Sequence, residues 1–207
     1  MMKGKAVLIF LLIFAFALGS ISCGNTGVGD PDEVAVIETN YGRIVIEFFP
    51  NDAPRHVANF KKLTREKFYD GTKFFRLVKN RTEAVAVQGG DPNTINGDPS
   101  TWGKGQPGQE TVPAEFSKTL KHVRGIVSAA RKGDDPDSAT SQFFICAAAY
   151  PAWDGQYSIF GRVIDGMNVV DSIVAAPVWP KTDRPLDPVV VNRIYLVKRD
   201  EISREQE

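Results

Sequence analysis

Short runs rich in apolar, β-branched and aromatic residues recur along much of the chain, a pattern typical of β-strands. Two such runs, 34–39 and 43–49, flank Asn40-Tyr41-Gly42 and predict an antiparallel hairpin. Comparable runs follow at 73–78, 84–88, 125–130, 142–147, 157–164 and 189–198. The pattern therefore predicts about eight strands.

Two segments have the period of a helix instead. One begins near Pro54, which suits a first helical turn, and Asp52 is its expected cap. The other covers about 167–174 and ends before Pro177. Many strands and few helices favour a mainly β fold, in which a closed antiparallel barrel removes exposed sheet edges.

The N-terminal segment differs from the rest of the chain. Lys3 and Lys5 precede an uncharged apolar run at 6–18, and small residues follow it. This layout is typical of a secretory signal peptide. An uncleaved membrane helix is the weaker alternative, because a bilayer core requires about 20 apolar residues.

Cys23 directly follows these small residues, as in a bacterial lipoprotein site, where the cysteine carries the acyl chains that anchor the protein. Ser20 occupies a position at which leucine is usual, so a plain cleavage site beside an incidental cysteine remains open. Gly24 is not the aspartate that commonly retains lipoproteins at the inner membrane. We therefore expect an exported lipoprotein on the periplasmic or cell-surface side, with the outer membrane as its destination.

These features divide the chain into a signal peptide (1–22), a flexible Gly/Asn/Asp/Pro-rich tether (23–33), a folded domain (34–198) and a polar tail (199–207) that we expect to fray. The 25 Lys and Arg residues balance the 25 Asp and Glu residues, and no basic stripe is present. We therefore expect no nucleic-acid partner. We also expect a monomer.

Common catalytic motifs are missing. Gly103–Gly108 matches a dinucleotide-binding pattern, but it contains Pro107 and lies among loop residues. His56, expected on an exposed helix face, and His122 lack metal-ligand spacing. The aspartates at 134–137 lack the glycine and final glutamate of a calcium loop. The sequence therefore favours chemistry without a nucleophile, metal or cofactor.

Several segments together form a more specific pattern: Phe74-Phe75-Arg76, Gln88-Gly89-Gly90-Asp91-Pro92, 124–131, 141–146, 154–157 and 160–167. In this order and spacing they resemble the cyclophilin family, and the resemblance covers about 34–198. It implies an eight-stranded antiparallel β-barrel capped by two α-helices. It also implies a cofactor-free peptidyl-prolyl cis/trans isomerase that acts on proline-containing polypeptides.

The resemblance assigns catalytic roles to Arg76 and Gln88. Rotation of an X-Pro amide breaks no bond, but it must overcome a resonance barrier of about 18–20 kcal/mol. A hydrogen bond to the prolyl nitrogen weakens that resonance, and the guanidinium of Arg76 stays charged and offers several donors. Gln88 matches the family glutamine that holds the substrate backbone and orients the arginine.

The substrate-binding residues are also implied by the resemblance. Phe144 matches the aromatic floor of the proline pocket, and Tyr157 lies at the position of a pocket-rim histidine or tyrosine. Ala130 and Arg131 match the strand that pairs with the substrate backbone.

This chain departs from the family pattern near the pocket. A Phe-Met pair of the family falls on Val85 and Ala86, so we expect a shallower or more open pocket there. Trp153 stands where a leucine is usual and is expected to form a pocket wall. The stretch between Arg76 and Gln88 is about four residues longer than usual, which predicts a bulge or loop around 79–83.

The function predicted from the sequence is isomerisation of X-Pro bonds in exported proteins, which assists their folding. A non-catalytic proline-peptide-binding chaperone or assembly factor on the same scaffold is the main alternative, favoured by the loss of the Phe-Met pair. A structural surface lipoprotein that binds no proline peptide is a third class.

Overall fold

The computed structural model describes residues 30, 32–80 and 83–204. The predicted signal peptide 1–22, Cys23 and most of the predicted tether lie outside the described residues. The first strand begins at Glu33, so the last residue assigned to the tether belongs to the fold. Among the described residues, no helix combines the length and apolar character that a bilayer-spanning segment requires.

Nine strands in the described residues form one antiparallel sheet. They are β1 (Glu33–Thr39), β2 (Gly42–Phe48), β3 (Lys73–Phe74), β4 (Arg76–Lys79), β5 (Ala84–Gly89), β6 (Ile126–Ala129), β7 (Phe143–Cys146), β8 (Ile159–Asp165) and β9 (Val189–Lys198). Their order in the sheet is β3-β9-β1-β2-β8-β6-β7-β5-β4. Because β3 and β4 end this order and only Phe75 separates them, the sheet curves into a nearly closed barrel.

The prediction of a mainly β, antiparallel barrel is confirmed, with nine strands instead of eight. The difference lies in the predicted run 73–78, which divides at Phe75. Its first residues pair with β9, whereas Arg76 and those that follow pair with β5. One segment of chain thus hydrogen-bonds to both ends of the curved sheet and closes it.

The described residues also contain four α-helices: α1 (Pro54–Arg65), α2 (Asn93–Asn96), α3 (Met167–Val174) and α4 (Arg199–Arg204). α1 and α3 are the two predicted helices, and α2 is a single turn. The prediction that the tail at 199–207 frays is wrong for α4. Its Ile202 is buried in a cluster with Val34, Val36 and Val45, and this apolar contact holds the helix against the sheet.

The N-terminus of α1 is capped by a distant carboxylate. Asp52 was the expected cap, but it accepts a hydrogen bond from the Ser117 hydroxyl instead (3.0 Å). The backbone N–H groups of Arg55 and His56 donate to the Glu115 carboxylate at 3.0–3.1 Å. A negative charge at this position also complements the helix dipole.

Strand alternation divides the apolar residues between two clusters. In β7, Phe143 and Ile145 point into the main core, where Phe143 lies edge-on to the Phe60 ring at 5.3 Å. Phe144 and Cys146 point to the opposite side of the sheet and belong to a second, smaller cluster. Burial raises the pKa of the Cys146 thiol to about 12, which keeps it protonated at neutral pH. Phe144 of this second cluster also lines a pocket at the surface.

His56 is buried, contrary to the expectation that it faces solvent. Its side chain is 4% exposed, and Nδ1 lies 2.7 Å from a carboxylate oxygen of Glu115. Nε2 is buried without a hydrogen-bond partner in the described part of the chain. Burial lowers the pKa of His56, while the Glu115 carboxylate acts in the opposite direction.

This burial predicts a pH-dependent stability. The unfolded chain protonates His56 at its ordinary pKa of about 6.5, whereas the folded chain does so only at lower pH. The unfolded state therefore binds more protons, and stability falls as the pH drops through about 6.5. We expect His56→Gln to reduce this loss without abolishing it, because burial also lowers the pKa of His122. Urea unfolding between about pH 7.5 and about pH 5.5 measures the effect, and identical pH profiles for both proteins would contradict it.

Candidate active site

β4 and β5 place Arg76 and Gln88 directly opposite each other. The two residues are register partners in the antiparallel pair, so their side chains stand on the same face of the sheet. Leu77, the next residue on β4, is fully buried in the core, and alternation therefore turns Arg76 and Val78 away from it. The Arg76 side chain is 49% exposed and is accessible to a ligand.

Two side chains contact the Arg76 guanidinium. Its Nη1 lies 3.5 Å from the Gln88 Oε1, and its Nε lies 3.4 Å from an Asp183 carboxylate oxygen. Both distances are at the long end for hydrogen bonds. The Asp183 backbone carbonyl also accepts a shorter bond, of 2.7 Å, from the Leu77 N–H. Asp183 is therefore tied to β4 beside the arginine that it contacts.

A further glutamine orients Gln88. The Gln88 Nε2 donates to the Gln142 Oε1 at 3.0 Å, and the Gln142 Nε2 donates to the Gly103 carbonyl at 3.1 Å. This chain of amide hydrogen bonds directs the Gln88 oxygen toward Arg76. Gln142 thus positions the catalytic candidates although the resemblance gave it no role.

Phe144 forms the floor of a small aromatic pocket beside Arg76. Its ring is edge-on to Trp153 at 4.9 Å and to Tyr157 at 5.4 Å. Val78 completes the wall, and the enclosed volume is about 180 Å³. We call this the aromatic pocket; Arg76, Gln88, Ala130, Arg131, Phe144, Trp153 and Tyr157, all predicted site residues, line it together.

Val85 and Ala86 do not line the aromatic pocket, in contrast to the prediction. Val85 is 1% exposed and shares the inward-facing side of β5 with Val87. Ala86 stands on the pocket side, but it is fully buried opposite Val78, and its methyl group is too short to reach the surface. Val78 forms the wall instead. It lies two residues after Arg76 on the same strand, so both side chains stand on the same face, and this spacing could have identified it.

A hydrogen-bonded chain of side chains lies beneath Phe144. The His122 ring stacks on Phe144 at 6.0 Å, its Nδ1 lies 3.1 Å from Asp154, and its Nε2 lies 3.0 Å from the Ser128 hydroxyl. The order Ser-His-Asp is that of a hydrolase triad. However, Ser128 is completely buried, so no substrate can reach its hydroxyl. These residues instead support the pocket floor.

Ala130 and Arg131 follow the end of β6 and form the border between the aromatic pocket and a wider groove. The Arg131 guanidinium carbon lies 5.0 Å from the centre of the Tyr157 ring, which the cation helps to hold. The groove has a volume of about 380 Å³, and Phe75, Trp102 and Gln142 are among its lining residues. We call it the side groove.

The glycine motif at 103–108 and the candidate metal ligands form no further functional site in the described residues. Gly103, Gly105 and Gly108 adopt positive φ angles in a loop that does not open a helix, which agrees with the expected exclusion of a dinucleotide motif. Within the described ranges, no group of three or more His, Cys, Asp or Glu side chains is arranged to hold a metal ion.

Comparison with known proteins identifies the family. The family model for cyclophilin type peptidyl-prolyl cis-trans isomerases matches residues 34–196. Peptidyl-prolyl cis-trans isomerase-like 3 of Gallus gallus is 40% identical over 162 residues, which cover 77% of this chain and 93% of the relative. Peptidyl-prolyl cis-trans isomerase CYP18-2 of Arabidopsis thaliana is 37% identical over 171 residues, 82% of this chain and 96% of the relative.

The fold leads to the same family. A cyclophilin type peptidyl-prolyl cis-trans isomerase of Cryptosporidium parvum, crystallised in the presence of the dipeptide Ala-Pro, matches with a TM-score of 0.69 and 30% identity. The match covers 80% of this chain and 99% of that one. On sequence and fold together, the chain belongs to the cyclophilin-type peptidyl-prolyl cis-trans isomerases.

Proposed function

We propose that the chain isomerises X-Pro bonds of exported polypeptides at the aromatic pocket and so assists their folding. The isomerase activity follows from the family. The observation that supports this location is the register of β4 and β5, which sets Arg76 opposite Gln88 at the edge of a pocket floored by Phe144. The client is a proline-containing polypeptide.

The aromatic pocket is suited to hold a proline ring. Phe144, Trp153, Tyr157 and Val78 give it an apolar floor and wall, which favour a saturated ring over water, while Arg76 and Gln88 line its other side. Edge-on contacts with Trp153 and Tyr157 fix the Phe144 ring, and the buried His122 supports it from below. A ring held in this way stays still while the amide that precedes it rotates.

Arg76 then stabilises the twisted amide. As the X-Pro bond leaves planarity, the prolyl nitrogen regains its lone pair and becomes a hydrogen-bond acceptor. A guanidinium N–H that donates to this nitrogen makes an interaction that the planar ground state lacks, and such an interaction lowers the barrier. Gln88 and Asp183 hold the guanidinium at two of its nitrogens, which limits its reorientation during the step.

Removal of the guanidinium tests this mechanism. We expect Arg76→Ala to lower kcat/KM by about 100- to 1,000-fold, the usual effect of losing one preorganised donor. The measurement is the cis-to-trans rate of a proline tetrapeptide, supported by a proline-limited refolding assay, with the full-length chain. Arg162→Ala removes another exposed arginine of the barrel and should keep the wild-type rate. Equal acceleration by wild type and Arg76→Ala would show that Arg76 is not the donor, and the uncatalysed rate in both would favour the non-catalytic proline-binding chaperone.

The contact between Asp183 and Arg76 gives a second prediction. An exposed ion pair contributes up to about 1 kcal/mol, so Asp183→Asn should lower kcat by about two- to fivefold with little change in KM. The effect should vanish in the Arg76→Ala background, because Asp183 acts through the arginine. A double-mutant cycle on the tetrapeptide rate measures this coupling. An equal loss in both backgrounds would show that Asp183 affects the site by another route.

We further propose that the protein is exported and anchored to a membrane, on the periplasmic or cell-surface side, through a lipid on Cys23. The charged start, the apolar run and the small residues before Cys23 support this proposal. Such an anchor would keep the isomerase near polypeptides that have just crossed a membrane.

Mass spectrometry of the mature N-terminus tests the anchor. We expect an acylated Cys23 as the first residue, and we expect Cys23→Ser to move the protein from the membrane fraction to the soluble fraction, since two acyl chains provide stable binding. An unmodified N-terminus would indicate plain cleavage, and retention of residues 1–22 would indicate an uncleaved helix. Either result would reject the lipid anchor.

A further inference from the structure

A compact hairpin at 177–188 stands beside the catalytic arginine. The Trp179 N–H donates to the Arg184 carbonyl at 2.9 Å, and the Leu186 N–H donates to the Pro177 carbonyl at 2.7 Å. Asp183, near its tip, accepts the Leu77 N–H of β4. These bonds hold the hairpin in one place relative to Arg76, so its side chains form a fixed surface.

This surface contains large apolar side chains that face solvent. Trp179 is 46% exposed and Leu186 is 42% exposed, although burial of either side chain would be favourable. Together with Pro99 and Trp102 they line a recess of about 180 Å³, which we call the indole recess. Exposed apolar groups clustered around a concavity are typical of a binding surface.

Arg184 links the two tryptophans of the indole recess. Its guanidinium carbon lies 5.6 Å from the Trp102 ring centre and 5.8 Å from the Trp179 ring centre, so one cation contacts both indoles. Tryptophan and arginine are the residues most enriched among those that dominate binding energy. Because the Arg184 cation contacts both rings, we expect the recess to need little rearrangement to accept a side chain.

The indole recess is continuous with the proposed catalytic site. Phe75 and Trp102 line both the recess and the side groove. A shallow hollow of about 300 Å³, bordered by Arg76 and Asp183, also shares Trp102 and Arg184 with the recess. A polypeptide with its proline in the aromatic pocket can therefore pass Arg76 and reach the recess without leaving the protein surface.

We propose that the indole recess binds a large apolar side chain of the client polypeptide, beyond the proline that occupies the aromatic pocket. The inference rests on the proposed function for the identity of the client. Its chemical class is an extended, unfolded segment that carries leucine or an aromatic residue near the proline. Unfolded chains expose such residues, and a second contact favours them over folded proteins in which the residues are buried. The recess thus makes the enzyme selective for unfolded clients.

Peptide binding to the full-length chain tests the proposal by calorimetry. Two peptides share one proline centre and length, and they carry either leucine or serine at the flanking positions on both sides. We expect the leucine peptide to bind about tenfold more tightly, and the double substitution Trp179→Ala/Leu186→Ala to abolish this preference. Phe116→Ala, which removes an exposed aromatic residue outside the recess, should retain it.

Three results would overturn the proposal. The wild type could show no preference for the leucine peptide, or the double variant could keep the full preference. Alternatively, sedimentation could show a dimer that the same two substitutions dissociate, which would make the recess a surface for a second copy of the chain. The affinity ratio does not depend on turnover, so a failure of the Arg76 mechanism, seen in the tetrapeptide rates, is distinguishable from a failure of this inference.

Discussion

Closure of the barrel through the segment 73–79 is the constraint on which the site depends. β3 pairs with β9, and the Phe75 N–H then donates to the Gln88 carbonyl at 3.0 Å as the chain crosses to β5. This crossing sets the register that places Arg76 opposite Gln88. A shift of one residue would turn Arg76 into the core and bring Leu77 to the surface, at a large cost from the buried charge. The fold therefore specifies the catalytic geometry.

The same alternation separates structural from functional side chains along β7. Phe143 joins the main core, and its neighbour Phe144 forms the pocket floor on the other side of the sheet. The pocket floor thus belongs to a strand whose other face packs in the main core. In the proposed function, the exposed Arg76 and the hairpin at 177–188 extend from this strand toward the client polypeptide.

Local sequence patterns predicted the barrel well and the site in large part. The apolar, β-branched and aromatic runs located the strands of the described residues, although one run covers both β3 and β4. The resemblance to the cyclophilin family indicated Arg76, Gln88 and Phe144. The contributions of Asp183 and Glu115 could not be read in this way. They contact Arg76 and α1 across 107 and 60 residues, and no local period records such a contact. Val85 and Ala86 were assigned to the pocket by their spacing from Gln88 and the family resemblance, whereas side-chain length and strand face give the wall to Val78.

In the proposed mechanism, the Arg76 guanidinium points at the amide nitrogen of a proline whose ring contacts Phe144. A crystal structure of the chain with a bound proline tetrapeptide tests this claim most directly. We expect the proline ring in the aromatic pocket and a guanidinium nitrogen of Arg76 within about 3.5 Å of the prolyl nitrogen. A proline bound elsewhere, or a guanidinium turned away from a correctly seated ring, would contradict it.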